Sequence, residues 1–269
     1  LIFRIKNIIM LLTESFNKLT VRLSVTLNDG KTTTGTGFLF MYEKKDPSSQ
    51  LSTRYFFIIT NKHVVENGIN LHFRVKNREN STQENIDMLN IQSFIVQHPE
   101  RNVDLCAINI SQIFQILTDN NKNLDWQFLE ENNVLNTNLV EEIKSVENIF
   151  MIGYPDGLMD EVNNRPLIRT GITSTSSIIR YNGEKLFIVD LPCFPGSSGS
   201  PIFISEGPRI TKEGSLIAGV PFFALIGVCS QMFTSRDSRT SQQSMDLGVA
   251  INYEAINELI AEIKRKIFS

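Results

Sequence analysis

Short apolar stretches separated by turns are the feature that most restricts the fold of this chain. Residues 21–27, 55–60 and 103–110 are three of these stretches, and Gly and Asn are frequent in the turns between such segments. Alternation of apolar and polar residues, or a short apolar run between turns, is typical of β-strands. Many such strands in succession predict an all-β fold built from barrels.

The predicted strands fall into two sets. We expect two antiparallel β-barrels, at 20–110 and 148–252, within a single domain that spans residues 1–269. The segment 111–147 between them is rich in Asn, Leu and Glu, and it favours helices and loops. Helical spacing of apolar residues at 253–269 predicts a C-terminal helix with Asn252 as its N-cap.

Helical periodicity also marks the start of the chain. One helix face would carry Ile5, Ile8, Ile9, Leu12, Phe16 and Leu19. We expect an amphipathic helix packed on the domain, with a peripheral membrane anchor as the alternative. No apolar run in the sequence is long enough to span a bilayer.

Charge and cysteine content argue against several classes of protein. The chain has 26 Lys and Arg against 29 Asp and Glu, and this net charge of −3 argues against nucleic acid as the main partner. Cys106, Cys193 and Cys229 lie in apolar stretches and are too few for a disulfide scaffold. Free thiols favour a reducing compartment, so we expect the cytoplasm, with a periplasmic or secreted location as the alternative. The sequence has no cluster of Cys and His, so we expect no metal and no cofactor.

The stretch FPGSSGSPIF, residues 194–203, raises the question of a nucleophile. Gly, Ser and Pro also cluster in ordinary loops, so a reactive serine needs partners elsewhere in the chain. These partners are a histidine that acts as base and an acid that orients it. His72 lies within an alternating strand and His98 precedes Pro99 in a turn, and both positions favour structural roles. His63 directly follows an apolar strand, and this position holds its imidazole on a rigid scaffold.

Asp104 is the candidate acid. It stands at the mouth of a buried strand, between Val103 and Leu105, where a carboxylate needs a partner. That partner is either a nearby backbone amide or Arg101, which would make Asp104 structural, or His63, which would make it functional.

Seven short motifs follow one another in the order of a known family. They are TGTGFLF, TNKHVV, VDLCAI, IGYPDGL, RTGITSTS, FPGSSGSP and LGVAIN. Together they resemble the trypsin-like (chymotrypsin-fold) serine peptidases, in particular the HtrA-like bacterial branch, over about residues 20–265. The resemblance implies a serine endopeptidase with His63 as general base, Asp104 as orienting acid and Ser198 as nucleophile. It also implies an oxyanion hole formed by the backbone N–H groups of Gly196 and Ser198.

The resemblance also locates a substrate-binding pocket. Its walls would come from Pro192, Cys193, Pro195, Cys229, Ser230, Gln231, Met232 and Gly248. Pro192 stands where basic-specific members carry an acid, so we expect cleavage of polypeptides after small or medium apolar residues. Residues 230–232 would pair with the substrate as an added strand. Simple core packing is the alternative role of the two cysteines, and they could form a disulfide if they lie close in space.

Three departures from the family pattern limit what the resemblance implies. Ser197 replaces the aspartate that pairs with a newly cut N-terminus in digestive members, so we expect no activation by such an insertion. Ser200 replaces the usual second glycine. We also expect no peptide-binding PDZ module after the C-terminal helix, so the protein-quality-control role of HtrA-like proteins does not carry over.

Two other functions fit parts of the sequence. A pseudo-peptidase would keep the fold and bind an extended peptide without cleaving it. An interaction protein would use the segment 111–147 as its working surface, where Trp126 and Phe128 are either an anchor or core residues. We favour the core for these two aromatic residues.

Overall fold

Fifteen β-strands form the framework of the computed structural model, which describes residues 14–46, 51–137, 139–206, 209–210, 216–217, 222–234 and 244–268. The strands are β1 (Thr20–Leu27), β2 (Thr32–Lys45), β3 (Ser52–Thr60), β4 (Gly68–Lys76), β5 (Gln83–Leu89), β6 (Ile95–Gln97), β7 (Cys106–Asn109), β8 (Asn148–Gly153), β9 (Leu167–Thr173), β10 (Leu186–Asp190), β11 (Pro201–Glu206), β12 (Arg209–Ile210), β13 (Leu216–Ile217), β14 (Phe222–Thr234) and β15 (Ser244–Asn252).

Helices connect and flank these strands. The α-helices are α1 (Lys62–Val65), α2 (Ser111–Asp119) and α3 (Tyr253–Phe268). Short 3₁₀ helices lie at Ile91–Phe94, Glu131–Asn133, Val140–Glu142, Pro155–Gly157 and Tyr181–Gly183. Residues 14–16 are also helical, and the earlier part of the predicted N-terminal helix lies outside the described residues. None of the helices within the described ranges is long and apolar enough to cross a membrane.

Seven strands form the first sheet, in the order β5-β4-β1-β2-β3-β7-β6, and neighbouring strands are antiparallel. Side chains along β3 alternate between two cores, because successive residues of a strand point to opposite faces. Ile58 packs with Leu23 and Phe73 inside the first sheet, whereas Phe57 and Ile59 pack towards the second half of the molecule. The second half of strand β3 is therefore buried on both faces. It holds the first residue of α1, which follows it, in a fixed position.

Six strands close into a barrel in the second half, in the order β10-β15-β14-β11-β8-β9, and β12 and β13 form a separate two-stranded sheet. The barrel core includes Met151, Phe187, Ile202 and Ile226, all of them buried. The prediction of an all-β, chymotrypsin-like architecture is confirmed. Its second unit is a closed barrel and its first is the seven-stranded sheet.

A third core joins the two halves. Phe150 lies between Phe16 and Phe203, with ring centroids 4.7 Å and 5.3 Å away. Helix α3 covers this core with the buried side chains of Ala255, Ile256, Leu259, Ile260 and Ile263. The predicted cap of α3 is present, because the Asn252 side chain accepts a hydrogen bond from the Ala255 N–H at 3.4 Å. The helix thus packs against both halves of the molecule.

Aromatic packing fixes part of the segment between the halves. Phe114 of α2 stacks on Phe56 of β3 with ring centroids 3.7 Å apart, and its ring lies 5.4 Å from Trp126. Trp126 and Phe128 both pack against the core of the first sheet. The prediction that these two residues belong to the core is confirmed.

Candidate active site

His63 and Asp104 meet at the ends of two paired strands. Strand β3 pairs with β7 as far as Thr60 and Cys106, so the residues just beyond these strand ends lie side by side. Asp104 Oδ1 accepts the His63 backbone N–H at 3.0 Å, and Asp104 Oδ2 lies 2.6 Å from His63 Nδ1. An ionised Asp104 therefore keeps the imidazole proton on Nδ1 and leaves Nε2 free to act as a base.

Two further hydrogen bonds hold Asp104. The Ser230 hydroxyl donates to Asp104 Oδ2 at 3.0 Å, and the buried Asn61 side chain donates to the Asp104 carbonyl at 2.8 Å. Burial by itself raises the pKa of Asp104, but hydrogen bonds from His63 and Ser230 and the electrostatic interaction with His63 lower it. The net effect is a pKa below the ordinary value of 3.8, so Asp104 is ionised at neutral pH.

Ser198 lies in a tight loop between β10 and β11 whose shape depends on two glycines. Gly196 and Gly199 have φ angles of +84° and +87°, which side chains disfavour. A Cβ atom on Gly196 would lie 2.5 Å from the carbonyl oxygen of Tyr154. The backbone N–H groups of Gly196 and Ser198 have no acceptor within the described part of the chain. Both donors are therefore available to a developing oxyanion.

Thr36 of β2 connects this loop to both halves of the molecule. Its backbone N–H donates to the Ser198 carbonyl at 2.8 Å, and its hydroxyl donates to the Gly196 carbonyl at 2.8 Å. The same hydroxyl accepts the Tyr154 N–H at 3.2 Å, and Thr60 donates to the Thr36 carbonyl at 2.8 Å. Sequence reasoning did not single out Thr36, and the TGTG motif around it was the one available signal.

The Ser198 hydroxyl donates to the Ser230 carbonyl at 3.0 Å and makes no hydrogen bond with His63. A rotation of the Ser198 side chain away from Ser230 is needed before its proton can reach His63. Ser230 thus has two roles that the sequence did not reveal, one towards Asp104 through its hydroxyl and one towards Ser198 through its carbonyl.

One cavity of about 490 Å³ brings most of the predicted site residues together. It is lined by His63, Asp104, Cys193, Phe194, Pro195, Ser198, Cys229, Ser230, Gln231 and Met232. Pro192 and Gly248 were predicted to line it, but neither is among the described residues around it. Gly248 instead lies behind Cys193, because a Cβ on Gly248 would overlap the Cys193 sulfur. Phe194 is a lining residue that the sequence analysis did not assign to the pocket.

Comparison with known families agrees with this geometry. The family model described as a trypsin-like peptidase domain matches residues 35–209, which is more than half of the chain and includes His63, Asp104 and Ser198. The chain belongs to the trypsin-like peptidase domain family. The protein is therefore a serine endopeptidase, with polypeptides as its substrate class. No curated protein sequence matches the chain.

Solved structures share the fold of this trypsin-like peptidase at low sequence identity. HL collagenase is 14% identical, with a TM-score of 0.53, and the match covers 92% of this chain and 94% of that chain. A scabies mite inactivated protease paralogue is 11% identical, with a TM-score of 0.50, and the match covers 94% of this chain and 98% of that chain. These likenesses concern the fold alone.

The two serines at which the trypsin-like peptidase departs from its family pattern are both buried. The Ser197 hydroxyl accepts the Phe194 N–H at 3.2 Å, so this residue braces its own loop. Ser200 packs against Gly153, where a Cβ atom would overlap the Ser200 hydroxyl. The extra side chain at Ser200 is thus accommodated by the absence of one at Gly153.

The other two histidines of the trypsin-like peptidase lie outside the cavity. His72 is partly exposed on β4, with Nδ1 2.9 Å from Asp87. The His98 side chain is buried, with Nε2 3.2 Å from Glu258 of α3 and Nδ1 accepting the Glu100 N–H at 3.1 Å. Both arrangements agree with the structural roles that the sequence favours.

Proposed function

We propose that this peptidase cleaves peptide bonds with Ser198 as nucleophile, His63 as general base and Asp104 as the acid that orients His63. The observation that supports this most is that Asp104 contacts both the backbone N–H and the ring Nδ1 of His63. Both residues line the cavity that Ser198 also lines. Ser198 and a free imidazole nitrogen at one cavity can reach the arrangement that acyl transfer requires once the serine hydroxyl turns to His63.

The proposed reaction begins when substrate enters the cavity and the Ser198 hydroxyl turns from Ser230 to His63. Ser198 Oγ attacks the scissile carbonyl carbon, and His63 Nε2 takes the hydroxyl proton. The N–H groups of Gly196 and Ser198 stabilise the negative charge on the carbonyl oxygen. His63 then gives the proton to the leaving amine, and the C–N bond breaks. Water, activated by His63, hydrolyses the acyl-enzyme and frees Ser198.

The proposed specificity is cleavage after small or medium apolar residues. Cys193, Phe194, Cys229 and Met232 contribute apolar side chains to the cavity wall. An unpaired charge of the substrate would be unfavourable against such a wall. The backbone at residues 230–232 of β14 would hold the substrate as an added strand.

A catalytically inactive peptide-binding protein is the second candidate. The orientation of the Ser198 hydroxyl, which bonds to Ser230 and not to His63, favours this candidate.

Labelling with a fluorophosphonate probe separates the two candidates. We expect the wild type to be labelled and Ser198→Ala and His63→Ala to lose labelling, with peptide turnover lower by about 10⁴-fold or more. His72→Ala is the matched control, since this histidine lies outside the cavity and should keep both labelling and turnover. Absence of labelling in folded wild-type protein would favour the peptide-binding candidate. A peptide-library digest then tests the preference for apolar residues.

A further inference from the structure

Two cysteine thiols lie side by side in the wall of the cavity. Cys193 Sγ and Cys229 Sγ are 2.9 Å apart, and either can donate a hydrogen bond to the other. Both cysteines are unbonded in this structure. A disulfide bond length of about 2.05 Å would require the two sulfur atoms to approach by less than about 1 Å.

The backbone around this thiol pair holds the two sulfurs in place. The Cys229 carbonyl accepts the Gly199 N–H at 2.8 Å, and the Cys229 N–H donates to the Ser200 carbonyl at 2.9 Å. On the other side, Gly248 leaves the space that the Cys193 sulfur occupies. The short distance between the sulfurs is therefore set by β14 and the nucleophile loop, and not by two mobile side chains.

The hydrogen bond between the two thiols makes their pKa values unequal. The hydrogen bond from Cys229 lowers the pKa of the Cys193 thiol, burial opposes this, and the positive charge of Arg169 lowers it further. The same hydrogen bond and burial raise the pKa of the Cys229 thiol, and the positive charge of Arg169 only partly opposes them. Arg169 Nη1 is buried and has no hydrogen-bond partner among the described residues, and the guanidinium lies over the Phe194 ring, 5.2 Å from its centroid. A thiolate on Cys193 is thus the reactive form of the pair.

The cavity gives small molecules a route to the thiol pair. The two cysteines are only 3% and 1% exposed, yet both line the cavity that holds Ser198. A peroxide is small enough to enter a cavity of about 490 Å³, whereas the third cysteine, Cys106, lies in the core of the first sheet with no such access.

We propose that Cys193 and Cys229 are a redox modification site, which peroxides convert to a disulfide across the wall of the substrate pocket. The chemistry stands independently of peptidase activity, and only its effect on cleavage rests on the proposed function.

The proposed reaction has two balanced steps. The Cys193 thiolate attacks one oxygen of hydrogen peroxide, the O–O bond breaks, and sulfenic acid and hydroxide form. The Cys229 sulfur then attacks the Cys193 sulfur, the S–O bond breaks, and the thiol proton leaves with the oxygen as water. In total the two thiols lose two electrons and two protons, and the peroxide is reduced to two molecules of water.

The disulfide would change the shape of the pocket. Cys193 belongs to the segment that leads to Gly196, and Cys229 precedes Ser230, so the bond joins two neighbouring segments of the pocket wall close to Ser198. Drawing these segments together changes the wall that a medium-sized side chain would contact. We expect oxidation to lower kcat/KM roughly tenfold for cleavage after leucine relative to alanine, and dithiothreitol to reverse the change.

The first test is a thiol count on the full chain after treatment with hydrogen peroxide, unfolding and maleimide labelling. Of the three thiols in the wild type, we expect one to remain after oxidation, together with a mass loss of two hydrogens. Cys106→Ala should still form the disulfide, whereas Cys193→Ala and Cys229→Ala should not. Three labelled thiols after oxidation of the wild type, or oxidation of Cys193 to sulfinic acid without a disulfide, would overturn the proposal.

The second test measures peptide cleavage by the oxidised and reduced wild type. A disulfide that forms in a protein with no fluorophosphonate labelling would contradict the proposed function and leave the modification site intact. Labelling and cleavage without a disulfide would contradict the modification site alone. A disulfide that forms without changing the leucine-to-alanine ratio would overturn the proposed effect on the pocket.

Discussion

Thr36 is a fully buried threonine whose hydroxyl bridges two backbone groups near the nucleophile. One of these groups, the Gly196 carbonyl, belongs to the loop that carries Ser198, and the other, the Tyr154 N–H, follows β8. A buried carbonyl and a buried N–H each lose a partner if the hydroxyl is removed, at a cost of about 1–3 kcal/mol for each unpaired group. Thr36 is thus a positioning residue in the proposed mechanism.

Replacement of Thr36 by valine tests this role. We expect Thr36→Val to lower kcat roughly 10- to 100-fold with little change in KM, because the oxyanion donors move while the pocket wall stays. Thr36→Ser should restore most of the activity, since it keeps the hydroxyl. Thr34→Val, in the same strand, is the control and should behave as wild type. A valine variant with wild-type kcat would show that the hydroxyl does not position the loop.

Asp104 makes the folding free energy depend on pH. Its pKa in the folded protein lies below 3.8, because the contacts with His63 and Ser230 outweigh burial. The stabilisation from these contacts is therefore complete above about pH 4 and is lost as the pH falls through the lowered pKa. We expect the difference in unfolding free energy between wild type and Asp104→Asn to shrink on acidification to about pH 3. Urea unfolding at several pH values measures this, and a difference that stays constant would contradict it.

Local sequence patterns predict some residues of the proposed site and miss others for a physical reason. His63, Asp104 and Ser198 each stand at the edge of a recognisable strand or glycine loop, so local patterns mark them. Thr36 and Ser230 act through hydrogen bonds to residues that are far away in sequence, and no local pattern encodes such contacts. The proximity of Cys193 and Cys229 likewise depends on the folded structure, because the two residues lie far apart in sequence.

At the scale of elements, the nucleophile loop depends on the left-handed conformation of Gly196. Gly30, in the turn between β1 and β2, has nearly the same φ, +83° against +84°, but nothing lies within 4 Å of a Cβ placed there. The two glycines therefore share the backbone requirement and differ in what surrounds them.

The two alanine substitutions separate these effects. We expect Gly196→Ala to lower kcat by about 10² to 10³-fold, because contact with the Tyr154 carbonyl displaces an oxyanion donor. Gly30→Ala should cost about 1 kcal/mol of stability and leave turnover unchanged. Steady-state kinetics and thermal unfolding of both variants provide the comparison. Equal kinetic effects of the two substitutions would mean that backbone strain alone, without the Tyr154 contact, explains the loss.

Strands could be predicted from the sequence where they bury enough apolar surface. Strand β3 reads STRYFFIIT and was evident from its sequence, whereas β5 reads QENIDML and was not singled out. Only Ile86 and Met88 of β5 are buried, because β5 is the edge strand of its sheet. A half-polar edge strand resembles a loop in sequence. Its extended conformation is stabilised by pairing with β4 more than by the burial of its own side chains.

At the scale of the whole molecule, a partly buried ionic cluster connects the two halves through α3. Lys185, next to β10, pairs with Glu258 of α3 and with Glu100, both at 2.5 Å. His98 joins the same cluster through Glu258. Burial lowers the pKa of His98 below the ordinary value of 6.5, and the charge of Glu258 only partly opposes this.

This lowered pKa predicts a loss of stability in mild acid. The unfolded chain takes up a proton at His98 near pH 6.5 before the folded chain does, so stability is complete above this pH and falls below it. The slope from this one group is at most about 1.4 kcal/mol per pH unit. We expect His98→Gln to have a smaller decrease in unfolding free energy between pH 7.5 and 5.5 than wild type. Because the comparison uses the change of unfolding free energy with pH, a loss of packing that is the same at every pH does not affect it. An equal pH dependence in the two proteins would contradict the prediction.

The hydrogen bonds of Thr36 also link proteolytic activity to the completion of folding in the proposed mechanism. As the chain is synthesised, His63 and Asp104 emerge and can pair long before β14 brings Ser230 to them. Until the second barrel docks on the first sheet, the Ser198 loop lacks the Thr36 contacts. In the proposed mechanism, proteolytic activity therefore depends on the finished fold, and a chain whose two halves have not docked lacks a correctly positioned nucleophile loop.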